Sequence, residues 1–120
     1  MSNVPNFKEI VSESKGLWVS ALFGAIVGWN PGREFVEYKN MFFDVVKELL
    51  DNQIIRFCSP QDPLGKDEPY WNVDSDTIIS YLKEKWPQGV TDENDEELNN
   101  YFYFIPAILW SDSSGHYIGS

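Results

Sequence analysis

The chain has 120 residues, 42% of them hydrophobic and 16% aromatic, with 19 acidic side chains against 9 basic ones and a formal net charge of −10. One domain is the expectation at this length, and eight Phe, six Tyr and five Trp supply the large apolar surfaces that disordered chains lack. The acidic excess argues against direct binding to nucleic acid or anionic membranes, which both require Lys and Arg to meet phosphate, and points to a basic partner.

The single cysteine, Cys58, leaves no intramolecular disulfide and no cysteine-based zinc site, which fits a reducing cytoplasm. Between Met1 and Ile10 no basic segment precedes an apolar one, so the N-terminus reads unlike a secretory signal. The uncharged stretch from Gly16 to Gly32 spans 17 residues, but its four Gly, Ser20, Asn30 and Pro31 leave it short of the ~20 apolar residues of a membrane span. A buried helix is expected there.

Asn6, with Glu9 three residues on and Pro5 before it, predicts a capping box that opens a first helix. Phe7, Ile10, Val11, Leu17, Trp18, Ala21, Leu22, Ala25 and Ile26 keep helical spacing, while Gly16, Ser20, Gly24 and Gly28 make a stripe of small residues. Another helix could approach closely along that stripe, within the chain or across a homodimer seam. Trp29 to Glu34 breaks the helix, with Asn30 placed to cap the next one and Pro31 at its first position. Phe35, Phe42, Val46, Leu49 and Leu50, beside Val36, Phe43 and Val45, predict a second helix to about Asn52. Its Glu37, Lys39, Asp44, Lys47, Glu48 and Asp51 would face solvent.

Ile54 to Cys58 reads as a strand. Pro60, Pro63, Gly65 and Pro69 mark a loop that carries Asp62, Lys66, Asp67 and Glu68 and leads to Tyr70 and Trp71. Asp74 is expected to cap a third helix, with Ile78, Ile79, Leu82 and Trp86 on one side and Pro87 and Gly89 at its end. Thr91 is expected to cap a fourth, with Asp92, Glu93, Asp95, Glu96 and Glu97 in its opening turns. Residues 106–110 and 116–119 flank a polar segment as a β-hairpin. The expected fold is therefore α+β, with about four helices packed on one face of a small antiparallel sheet that includes the C-terminal hairpin.

Motifs for catalysis are sparse. The lone His116 sits in the hairpin, Cys58 ends an apolar strand where burial keeps it a thiol, and neither a P-loop nor a Gly-x-Gly-x-x-Gly is present. Asp74 with Asp76, and Asp92 with Glu93 and Asp95, are the places a hard cation would be sought, but they lack the Gly and terminal Glu of an EF-hand loop. No metal, cofactor or catalytic residue is predicted. Charge layout is more informative, since residues 1–60 hold seven acids and six bases whereas residues 61–120 hold twelve acids and only Lys66, Lys83 and Lys85. Acids in a helix's first turn interact well with its positive end, but five in six positions also repel one another, so the 92–97 cluster reads as a partner-facing surface as well as a helix start.

Leu17-Trp18-Val19-Ser20-Ala21-Leu22-Phe23-Gly24, Gly28-Trp29-Asn30-Pro31-Gly32-Arg33-Glu34 and the run from Tyr101 to Trp110, with Gly119 near the end, resemble a family of small acidic bacterial proteins. That family is similar to immunity proteins of contact-dependent growth inhibition and related polymorphic toxin systems. The resemblance implies a cytoplasmic protein that binds and neutralises a cognate toxin domain, often a nuclease, and it supplies no catalytic residues. Asp92, Glu93, Asp95, Glu96 and Glu97 would dominate the electrostatics of that contact. Asp67, Glu68, Asp74 and Asp76 would form a second patch, with Tyr70 or Trp71 as anchor. An acidic adaptor or nucleic-acid mimic, which would bind several basic proteins, and a small enzyme using a carboxylate pair are the alternatives from other classes.

Overall fold

The structure, a computed structural model, describes residues 4–92, 94–112, 114 and 116–119. In chain order it contains α1 (Phe7–Ser14), α2 (Val19–Trp29), α3 (Phe35–Asp51), β1 (Ile55–Phe57), α4 (Ser75–Lys85), α5 (Glu96–Phe104), β2 (Ile108–Ser111) and β3 (Tyr117–Gly119). The strands make one antiparallel sheet in the order β1-β2-β3, with Arg56 opposite Leu109 and Trp110 opposite Ile118. The α+β class and the C-terminal hairpin agree with the sequence. Five helices stand where about four were expected, because the first one is divided.

That division has a local and a distant cause. Buried Ser14 turns its hydroxyl back to the Ile10 carbonyl at 2.7 Å, and Gly16 adopts φ 82°, a left-handed conformation that side chains resist. The Leu17 carbonyl, released from the helix, accepts the indole N–H of Trp110 at 2.9 Å. Gly16 thus ends α1 rather than continuing a stripe. Ser20, Gly24 and Gly28 remain exposed, and a Cβ placed on Gly24 or Gly28 would meet nothing within 4 Å. The small residues therefore do not form a packing seam within the chain; Gly24 and Gly28, with Leu17, Ala21 and Trp29, border a shallow outward groove.

The two asparagines act differently from their predicted capping roles. Asn6 has φ 63° and makes no side-chain hydrogen bond to α1, so the box with Glu9 does not form. Its amide donates instead to the Trp29 carbonyl at 2.9 Å, while Asn30 donates to the carbonyls of Pro5 at 3.3 Å and Ile26 at 3.2 Å. Together they clasp the start of the chain to the end of α2. Glu34, without a side-chain cap bond, precedes α3, so Pro31 lies outside that helix. Tyr38 closes the intervening turn, donating its hydroxyl to the Asn30 carbonyl at 2.8 Å and accepting the Arg33 amide at 3.1 Å.

Helix α3 forms the centre of the core, with Phe42, Val45, Val46 and Leu49 fully buried. Val36, expected on its apolar face, is exposed. Phe23 from α2, Phe42 and Phe43 from α3, Trp86 at the end of α4, and Tyr101 and Phe102 from α5 meet as one aromatic cluster. Its rings are tilted or edge-on, with centroids 5.1 to 6.2 Å apart, the arrangement that ring quadrupoles favour. Strand register places Ile55, Phe57, Ile108 and Trp110 on one sheet face, and all four are buried in the same core. Arg56 and Tyr117 fall on the opposite face, where the guanidinium lies 4.8 Å from the Tyr70 ring and 5.7 Å from that of Tyr117. Among the described residues no helix is long and apolar enough to cross a membrane.

Candidate functional site

Asp95, not Thr91, caps α5: its carboxylate accepts the Glu97 amide at 2.8 Å. Burial of Leu98, Tyr101 and Phe102 sets this register, and Asp95 is the strong capping residue one step before the helix. Asp92 belongs to a separate turn, accepting the Asn94 amide at 2.7 Å, and Glu93 lies outside the described residues. Only Glu96 and Glu97 occupy the first turn, so helix-end electrostatics explain part of the 92–97 cluster and leave exposed Asp92 to another cause.

The other predicted partner-binding residues are divided between two further places. Asp67 and Glu68 are exposed on the loop after β1. Asp74 caps α4 by accepting the Thr77 amide at 2.8 Å, as the sequence predicts, and Asp76 pairs with Lys47 at 2.8 Å. Asp76 and then Asp51 hold the Lys47 ammonium above its ordinary pKa. The second patch is thus partly tied into local structure. Trp71 is half-buried against Tyr81, with ring centroids 5.5 Å apart, and its amide donates to the Phe57 carbonyl at 2.7 Å. It is a packing residue; of the two predicted anchors, Tyr70 borders a wide groove and Trp71 does not line it.

That groove, of about 990 Å³, lies among the loop after β1, the C-terminal end of α5, the segment joining it to β2, and β3, with Trp18 and Val19 completing it. Four large apolar side chains lining it face solvent: Phe104 is 76% exposed, Leu64 73%, Tyr103 67% and Trp18 52%. Trp18 and Tyr103 are 5.8 Å apart between ring centroids, and Tyr103 and Phe104 are 5.5 Å apart. Concentrated exposure of this kind marks interaction surfaces, whereas single exposed apolar residues do not. The signal was present in the run Tyr101-Phe102-Tyr103-Phe104. One helix can bury a single stripe, here Leu98, Tyr101, Phe102 and the adjoining Ile105, so Tyr103 and Phe104 must turn outward.

Leu64 is presented by a loop with its own scaffold. The Asp62 carboxylate accepts the amides of Lys66, Asp67 and Glu68, each at 2.9 Å. Gly65 holds φ 69°, and a Cβ there would stand 3.2 Å from the Cys58 sulfur, so a larger residue would strain the turn and press on the thiol. Burial, then the Asp62 charge, pushes the Cys58 thiol up, as expected of an unreactive cysteine.

His116 also borders the groove but is not organised for nucleophilic catalysis. The Ser114 hydroxyl donates to Asp112 at 2.6 Å and lies 3.0 Å from His116 Nδ1, while Asp112 is 3.9 Å from that same nitrogen. A triad needs the carboxylate on one ring nitrogen and the nucleophile on the other. These contacts instead close the hairpin loop, aided by the Ser114 amide at 2.9 Å and the His116 amide at 3.2 Å on Asp112. Among the described residues no three of His, Cys, Asp and Glu gather as a metal site. The groove is lined mainly by apolar side chains, and Lys66, Asp67 and Glu68 are exposed on the loop beside it.

Three carboxyls make the fold sensitive to acid. Asp62 is held below the usual carboxylate range by the amides of Glu68, Asp67 and Lys66, Asp74 by the hydroxyl and amide of Thr77, and Asp112 by Ser114 and His116. A depressed folded pKa contributes stability that is complete above the unfolded value of about 3.9 and disappears as pH falls through the folded value. Thermal midpoints should therefore be flat from pH 7 to 5 and fall below about pH 4. Asp62→Asn should flatten part of that fall; an identical pH profile for both proteins would show that the loop scaffold contributes nothing.

Comparison of the chain with protein-family models, curated proteins and solved structures finds no match.

Proposed function

We propose that this chain is an immunity protein that binds and neutralises a cognate toxin domain. The observation that carries the reading is an exposed aromatic and aliphatic groove on a chain of net charge −10. Apolar contact supplies affinity at such a surface, and the acids select and accelerate encounter with a basic partner. A nuclease is the toxin class that fits best, because it must expose Lys and Arg to phosphate. An enzyme is the weaker alternative because Asp62, Asp74, Asp76 and Asp112 each satisfy a local structural partner.

Expression of the polypeptide encoded beside this one, with and without this chain, tests the proposal. The neighbour should arrest growth alone, and co-expression should restore growth through a one-to-one complex; growth arrest without rescue rejects the immunity reading. Replacing Asp92, Glu96 and Glu97 together by Lys should slow association about tenfold or more at low salt, with the two proteins converging at high salt as screening increases. Unchanged association at low salt would remove the acidic end of α5 from the contact.

A further inference from the structure

We infer that the groove takes an extended apolar segment of the partner that carries Lys or Arg, held chiefly by its side chains. This rests on the reading of the chain as a partner-binding protein and specifies what enters the site.

Three observations define the occupant. First, about 990 Å³ lies near the upper end of ligand-pocket volumes, so one inserted side chain would leave most of it empty. A succession of side chains fills it. Second, apart from β3, an edge strand of the sheet, the backbone of the walls offers little for strand pairing. Pro63, Pro69 and Pro106 have no N–H, the Ala107 amide is already donated to the Pro63 carbonyl at 3.2 Å, and the Cys58 amide to the Ala107 carbonyl at 2.9 Å. What the walls do present is Trp18, Tyr70, Tyr103 and Phe104, and aromatic-lined grooves hold extended segments through side-chain packing. Third, among the described residues no Lys, Arg, Asp or Glu lines the groove, the loop that forms one wall exposes Asp67 and Glu68 against Lys66, and the chain as a whole carries a net charge of −10. Complementarity with that overall field favours basic residues beside the apolar ones and disfavours a second copy of this acidic chain.

Asp62 is a positioning residue for this site. Its three amide bonds fix the loop that holds Leu64 outward and places Asp67 and Glu68 beside the groove. A preformed wall reduces the ordering cost of binding.

Selection of a random library of peptides about twelve residues long against the immobilised full chain tests the inference. Enriched peptides should combine apolar residues with Lys or Arg, and they should bind Phe104→Ser and Leu64→Ser proteins about tenfold or more weakly. Both side chains are largely exposed, so these substitutions leave the core intact. Replacing Asp67 and Glu68 by Lys should weaken binding most at low salt, Asp62→Asn should weaken it and expose the loop to proteolysis, and Val36→Ser should do nothing. Acidic consensus peptides, no enrichment, or peptides insensitive to Phe104→Ser would overturn the inference. Peptide binding at the groove without rescue from the neighbouring toxin would reject the immunity reading alone; rescue that survives Phe104→Ser and Leu64→Ser would reject the groove's role alone.

Discussion

Phe42→Ala should destabilise the fold by about 3–5 kcal/mol, the range for removing a large buried aromatic side chain. Phe42 is fully buried, and its ring meets Phe43, Phe102, Phe23 and Trp86 at centroid distances of 5.2, 5.6, 5.7 and 6.0 Å. Those partners come from three helices and the end of a fourth, so the cavity would open where the helical layer is joined. Neighbouring helices cannot collapse into it without losing their other contacts. A loss of that size is a large part of the ~5–15 kcal/mol that stabilises a domain. Urea unfolding followed by tryptophan fluorescence checks it, with the midpoint falling and the slope unchanged. A loss below about 1 kcal/mol would show that the aromatic cluster repacks freely.

Tyr101→Phe should cost about 1–3 kcal/mol while leaving the shape of the core unchanged. The Tyr101 hydroxyl is buried and donates to the Leu82 carbonyl at 2.7 Å, tying α5 to the last turns of α4. Burial, with the nearby Tyr81, pushes this phenol far above its ordinary value, so it remains a donor throughout the neutral and mildly alkaline range. Without it, the carbonyl loses its buried partner. Hydrogen exchange should quicken at the end of α4 and in α5 before α3, since only the first two share the bond. Equal protection in wild type and variant, with unchanged stability, would mean that water replaces the hydroxyl.

Both effects bear on the groove. Phe102 and Ile105 belong to the buried stripe of α5, while Tyr103 and Phe104 stand between them in sequence and point outward. The aromatic core therefore holds the helix whose other side lines the groove.

Much of this arrangement could be read before the fold was known. The period of α3, the cap at Asp74, the strand at Ile55–Phe57 and the hairpin at Ile108–Gly119 follow from apolar spacing and local turn chemistry. Residues with strong local preferences failed where a distant group offered a better partner. Asn6 and Asn30 had good capping positions, yet their amides clasp carbonyls across the chain, and Trp110 takes the carbonyl released at Leu17. The candidate site was less legible. Acidic residues stand out in a sequence because charge can be counted, and they drew attention to Asp92, Glu93, Asp95, Glu96 and Glu97. Exposed apolar residues do not stand out, since Phe104 and Phe102 are the same letter until a helix face separates them.

The sequence alone therefore determined the α+β class, the acidic character, the aromatic supply of the core and the expectation of a basic partner, because composition and periodicity act over one or two turns of chain. Tertiary structure alone decided that Gly16 ends a helix, that Trp71 packs inward, and that Leu64, Tyr103, Phe104 and Trp18 share one groove. Those outcomes depend on which side of an element other elements cover and which carbonyls remain for a distant donor, and both are properties of the assembled chain.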